Sequence, residues 1–305
     1  MDSVIQSIDA STIYDVPLLM KKEKLDQVVL RKLEISNFKE ANLEKWIDFV
    51  NKLKFPKNTI KIGLIGKYVE LQDSYKSILE SLIHAGSINE TKVEVCSIHS
   101  EFIDNDQINN EISNFDGVIV APGFGSRGIE GKIKAIKCAR ENNIPFFGIC
   151  LGMQMAVIEF ARNIIGLKDA NSTEMNEKTL NPVISLMEEQ KSISEMGGTM
   201  RLGSWECNIN EQSKVFEIYN SKLINERHRH RWELNNNYLN QLENAGLNSV
   251  GINAETGLVE IIELPENDWF IGVQFHPEYQ STVERPHPLF VSFVKACLSY
   301  NKSKK

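Results

Sequence analysis

The stretch PFFGICLGMQMAVIEFARN, residues 145–163, joins a short apolar run to a longer one through a Gly-Ile-Cys-Leu-Gly turn. The first run has the length of a strand buried on both faces, and the second has the length of a buried helix. Gly148 and Gly152 flank Cys150 in the pattern of a strand-to-helix elbow, where glycine lets the backbone turn sharply and present the central side chain. A thiol at the start of the following helix gains further from the helix dipole, which favours its thiolate. Taken alone, Cys150 reads more readily as a buried structural thiol.

Outward from this turn the chain keeps one rhythm. TIKIGLIG, KVEVCSI, DGVIV and IPFFGI are strand-like and alternate with helical patterns over DSYKSILESLIHAG, with Asp73 as its N-cap, and over residues 130–142. This predicts an α/β fold, a mostly parallel central sheet with helices on both faces. Further on, LVEIIELP and WFIGVQFHPE read as strands and PLFVSFVKACLSY as a closing helix. Residues 1–56 are charged and helix-prone and end at FPKN, which sets them apart as a tail or linker before a domain over 57–305. There is no internal repeat.

Composition narrows the classes of function. The 305 residues are 42% hydrophobic, enough for one ordinary core, and 34 basic against 41 acidic residues give a net charge of −7. Attraction to nucleic acid or to an anionic membrane is therefore not expected. Cysteines at 96, 138, 150, 207 and 297 are odd in number and form no CxxC, which fits reduced thiols and neither a disulfide framework nor a metal site. With no signal-like N-terminus and no apolar run of ~18 residues, the expected location is the cytoplasm.

Two further elements bear on Cys150. In GVQFHPEY, His276 and Glu278 leave the end of an apolar strand two residues apart, a base and a carboxylate able to orient it. A histidine before a proline is by itself commonly structural. In DGVIVAPGFGSRG a strand breaks into Gly123-Phe124-Gly125, whose N–H groups could approach a developing anion, although an isolated glycine turn needs no ligand. Gly123 and Leu151, the residue after the nucleophile, could together form an oxyanion hole. RHRHR, without further context, reads as a solvated basic strand, with phosphate binding a weaker second guess, and MGGTMRLG as a flexible loop ahead of a strand.

GICLGMQ, the HPE triplet and the glycine loop resemble the class I glutamine amidotransferases, which use a Cys-His-Glu triad to hydrolyse glutamine to glutamate and ammonia. GKYVELQDSYKSILESLIHAG, DANSTEM, MGGTMRLG, ERHRHRWEL and VQFHPEYQS resemble, more narrowly, the CTP synthase family, and STIYDVPLLM resembles the end of that family's synthetase domain. The resemblance runs from about Ser11 to the final helix and implies specific roles. Cys150 would be the nucleophile, His276 the base and acid, Glu278 its partner, and Gly123 with Leu151 the oxyanion hole. Gln154, Glu174 and Arg231 would bind glutamine, Glu174 at its ammonium and Arg231 at its carboxylate, and Thr199 and Arg201 match positions associated with GTP, the allosteric activator. No metal and no cofactor is implied for the glutaminase chemistry itself. ATP and Mg²⁺ belong to a synthetase domain that aminates UTP, and a homo-oligomer is implied for the full-length enzyme.

Two departures qualify this. Where the family has Pro-Gly-Gly-Phe-Gly, this chain has Ala121-Pro122-Gly123-Phe124-Gly125, so Pro122 removes one backbone donor while Gly123 stays. No GxxxxGK[ST] occurs in the chain, so the expected activity is the glutaminase half alone. The alternative is a catalytically weak regulatory or binding fragment that needs a separate synthetase domain. A cysteine peptidase or γ-glutamyl hydrolase on the same elbow is disfavoured by the long family-specific stretches.

Overall fold

A computed structural model of the chain describes residues 4–103, 108–186 and 200–304. Among them, twelve strands form two sheets. In chain order these are β1 (Asn58–Gly66), β2 (Thr91–His99), β3 (Gly117–Val120), β4 (Phe146–Ile149), β5 (Asn171–Ser172), β6 (Pro182–Ser185), β7 (Arg201–Ile209), β8 (Leu223–His230), β9 (Glu233–Leu234), β10 (Asn248–Ile252), β11 (Val259–Glu263) and β12 (Phe270–Val273). The large sheet runs β2-β1-β3-β4-β12-β11-β10-β7-β8, and β5, β6 and β9 form a small one.

The expected α/β architecture is present, and the large sheet divides into two halves. From β2 to β12 all neighbours are parallel. From β12 to β8 all are antiparallel. β3, β4 and β12, and β1 from Ile62 on, are buried on both sides because helices cover both faces. On one face Val118, Val120 and Phe146 meet the fully buried Leu151–Phe160 helix, and Phe146 stacks on Phe270 with centroids 4.3 Å apart. On the other, Ile119, Phe147 and Ile271 meet the closing helix Pro288–Ser303, whose Phe290 lies edge-on to Phe147 at 5.3 Å.

Asp73 does not cap the Lys76–Ile88 helix. A short 3₁₀ turn, Gln72–Tyr75, takes in Asp73 and hands over to the helix at Tyr75, which makes no side-chain cap. The N-terminal segment contributes helices Val16–Lys22, Leu25–Lys32 and Glu44–Lys54, and docks through Tyr14, Phe49 and Val50 into a small core of its own. No described helix is long and apolar enough to cross a membrane.

Candidate active site

Cys150 sits at the carboxyl end of β4, on the turn into the Leu151–Phe160 helix, with φ 52° and ψ −103°. A non-glycine residue rarely adopts this left-handed backbone, and strain of this kind concentrates where a side chain must be aimed. The flanking glycines are required by contact. A Cβ on Gly148 would stand 2.8 Å from the carbonyl carbon of Gly152, and one on Gly152 would stand 2.2 Å from the Val120 carbonyl oxygen. The elbow is pinned to the neighbouring strand, since Cys150 N–H donates to Val273 O at 2.7 Å.

That neighbour, β12, brings the second half of the site. Val273 pairs with Ile149, so the residues that follow each leave the sheet side by side. His276 lies beyond the strand end, and Glu278 lies on a 3₁₀ turn, Pro277–Tyr279, so the turn and not strand alternation sets their spacing. His276 Nδ1 meets Glu278 Oε1 at 2.7 Å, both side chains are buried, and Tyr279 stacks on the imidazole at 5.1 Å. His276 Nε2 is buried and has no hydrogen-bond partner among the described residues. Burial disfavours a charged imidazole, but Cys150 and Glu278 outweigh it and raise His276 to about 11. The ring therefore holds a proton firmly once it has one, as it must after the thiol has given its proton up.

The glycine loop is fastened from beneath by two lysines that sequence reading missed. Lys132, fully buried, donates to Ala121 O at 2.8 Å, and Lys67 donates to Phe124 O. Burial, with Lys67 beside it, lowers Lys132 to about 7. Gly123 faces Leu151, whose Cδ2 is 3.6 Å from where a Gly123 Cβ would be. Gly125 N–H donates to Glu174 Oε1 at 2.6 Å, and burial raises the Glu174 carboxyl while Gly125, Lys67 and Arg231 hold it down. Glu174, Arg231 and the glycine loop thus lie within electrostatic reach of one another, with Arg231 over the Trp232 ring at 5.1 Å.

Gln154, one helical turn past Cys150, donates to Trp232 O at 2.9 Å and to Gln274 Oε1 at 3.1 Å. Gln274 in turn donates to Cys150 Sγ at 3.7 Å. Sequence reading passed over Gln274, although its place in VQFHPE, between strand and base, puts it next in register to Cys150.

RHRHR is not a solvated basic strand. The pleat of β8 exposes Arg227 and Arg229 and buries Glu226, His228 and His230. His228 Nδ1 meets His230 Nε2 at 2.8 Å, and both rings face a buried group of Arg201, Glu233 and Glu260 in which Arg201 Nη1 lies 2.6 Å from Glu260 Oε1. Burial lowers both histidines, His230 to about 3, and raises Glu260 to about 7. Arg201, matched by sequence to a GTP position, is therefore spent inside the protein. It also begins β7, so the end of MGGTMRLG is strand and not loop. Thr199 lies outside the described residues.

The class I glutamine amidotransferase family model matches residues 70–296. CTP synthase from Flavobacterium johnsoniae is 60% identical over 301 residues, 99% of this chain and 56% of that protein. CTP synthase from Christiangramia forsetii is 62% identical over 304 residues, 100% of this chain and 56% of that protein. Among solved structures, the glutaminase domain of Trypanosoma brucei CTPS with bound acivicin is 37% identical with a TM-score of 0.75, covering 79% of this chain and 94% of that one. The chain spans about half the length of the curated relatives it matches.

Proposed function

Because the chain belongs to the class I glutamine amidotransferases, we propose that it hydrolyses glutamine to glutamate and ammonia as the glutaminase half of a CTP synthase. The observation that carries this reading is Cys150 on a left-handed elbow beside a buried His276 whose other nitrogen is held by Glu278. Cys150 Sγ attacks the γ-carboxamide carbon of glutamine, and His276 Nε2 takes the thiol proton. Gly123 and Leu151 N–H groups receive the oxyanion. As the tetrahedral adduct collapses, the C–N bond breaks and His276 gives its proton to the departing ammonia. Water, deprotonated by the same imidazole, then attacks the thioester, and glutamate leaves as the thiol is restored. Glu174 takes the substrate's α-ammonium and Arg231 its α-carboxylate, and Gln154 shapes the wall between Trp232 and Gln274.

In this reading the ammonia serves ATP- and Mg²⁺-dependent amination of UTP by a synthetase domain, of which residues 1–56 are the tail and linker. GTP is the activator, the full assembly is a homo-oligomer, and its place is the cytoplasm. Pro122 in the glycine loop favours the second reading, a domain that turns over glutamine weakly without its synthetase partner. Purified chain incubated with glutamine should release glutamate, and with ATP, UTP, Mg²⁺ and ammonium should form no CTP. Absence of glutamate release, with or without synthetase domain and GTP, would overturn the enzymatic reading.

A further inference from the structure

The N-terminal segment reaches the neighbourhood of the triad through a line of polar contacts across the Lys76–Ile88 helix. Tyr14 O–H lies against the Glu80 carboxylate and 3.2 Å from His84 Nε2. On the far side of the same ring, His84 Nδ1 lies 3.0 Å from Ser281 Oγ, which accepts the His287 N–H at 3.2 Å. Ser281 is three residues beyond Glu278, and Ser81 of the same helix, whose O–H donates to Ser77 O at 2.7 Å, lies 3.5 Å from the Glu278 carbonyl oxygen. Tyr14, Trp46 and Phe49 wrap the outer end of this line, and Val283 of the Ser281 loop packs against them.

The sense of every hydrogen bond in the line is fixed. Glu80 is kept ionised by Lys76 at 2.8 Å, so it can only accept, and Tyr14 O–H must donate to it. The phenol oxygen is then left to accept, so His84 must carry its proton on Nε2. A neutral imidazole has one N–H, so Nδ1 accepts and Ser281 O–H donates to it, which leaves the Ser281 oxygen for His287 N–H. Burial lowers the proton affinity of His84, consistent with a neutral ring. Each donor and acceptor is satisfied in one direction only, and such ordered networks hold their members more tightly than isolated pairs do.

We propose that Tyr14, His84 and Ser281 are positioning residues for glutamine hydrolysis, forming a one-way hydrogen-bond relay by which the N-terminal segment sets the loop that carries Glu278. This rests on the glutaminase reading of the triad. A shift of the loop changes how Glu278 holds His276 Nδ1, and so the aim of Nε2 at the thiol, while leaving the residues proposed to bind substrate untouched. The effect belongs in kcat and not in KM.

The test has two arms on the intact chain. In the first, Tyr14→Phe and Ser281→Ala are expected to lower kcat for glutamine by about five- to tenfold with KM within about twofold, and Ser281→Thr to recover it. Lys54→Ala, which weakens the same segment through its 2.7 Å ion pair with Asp15 but lies outside the relay, is expected to keep wild-type kcat. Wild-type kcat in Tyr14→Phe, no recovery in Ser281→Thr, or an equal loss in Lys54→Ala would overturn the relay. In the second arm, nitrogen NMR of the wild-type chain near neutral pH should show His84 as the neutral Nε2–H tautomer. The Nδ1–H tautomer, or a protonated ring, would overturn it. Should the wild-type chain not hydrolyse glutamine, the functional reading fails instead, and the tautomer alone decides the relay.

Discussion

Gly148 and Gly152 offer a graded test of the elbow. A Cβ on Gly148 would lie 2.8 Å from the Gly152 carbonyl carbon, where ordinary contact begins at 3.4 Å, so it is too close by about 0.6 Å. A Cβ on Gly152 would lie 2.2 Å from Val120 O, too close by about 1.2 Å. Both neighbours are backbone, so no side chain can swing aside, and the start of the Leu151–Phe160 helix must move with Cys150 on it. A displacement of ~1 Å costs a catalytic site on the order of 100-fold. Gly148→Ala should therefore lose about tenfold in kcat, about 1.4 kcal/mol, with the fold retained. Gly152→Ala should lose about 100-fold and, by overpacking, ~1–3 kcal/mol of stability. Glutamate release under saturating glutamine, together with thermal midpoints, measures both. If Gly152→Ala kept more activity than Gly148→Ala, or if both stayed within about twofold of wild type, contact at the elbow would not be what aims the thiol.

Cys150→Ala should abolish glutamine hydrolysis with the thermal midpoint little changed, and a glutamine-like electrophile should label Cys150 although Cys96 is the exposed thiol; adduct mapping to Cys96 would refute this. Arg231→Ala should weaken glutamine binding by roughly 2–5 kcal/mol, seen in KM, while a small uncharged thiol reagent reacts at an unchanged rate; equal losses in both would make Arg231 structural. Lys132 titrates near 7 when folded and, like other lysines, about 10.4 when unfolded. Between those values the unfolded chain binds more protons, so this residue makes stability rise with pH across that window. Lys132→Met should remove that rise, and urea midpoints of wild type and variant that differ equally at both ends of the window would contradict it.

Much of this was readable in the sequence because parallel strands are apolar runs and because a cysteine between two glycines, a strand-end His-Pro-Glu and a glycine loop point to one chemistry only when taken together. In the antiparallel half, β11, β12, β8 and the strand after MGGTMRLG were visible, but β10 was not foreseen, and neither it nor β7 carries a motif that announces their pairing. What escaped notice is polar and buried. Lys132 looks like an ordinary helix-surface lysine until Ala121 O and the sheet close over it. His228 and His230 were legible in principle, since in an Arg-His alternation the pleat must bury one type, and a neutral histidine is far cheaper to bury than an arginine. Glu260, the carboxylate that faces His228, is contributed by a separate strand, and nothing local predicts it. Tyr14 gave no signal either, because its partners Glu80 and His84, and Ser281 beyond them, become neighbours only when the Lys76–Ile88 helix is in place.

The position of β12 bears on how the site comes into being. It is the last strand among the described residues, yet it lies in the middle of the large sheet, between β4 and β11, where the parallel and antiparallel halves meet. The nucleophile is synthesised well before its base, and a long loop must close before the two share an edge. A nascent chain halted anywhere before β12 holds the Cys150 thiol without His276 and a sheet with a gap at its centre, so it cannot leak ammonia. Glutamine hydrolysis during refolding should consequently appear in step with the slowest sheet-wide signal and never ahead of it, which makes the reaction a reporter of the final strand insertion.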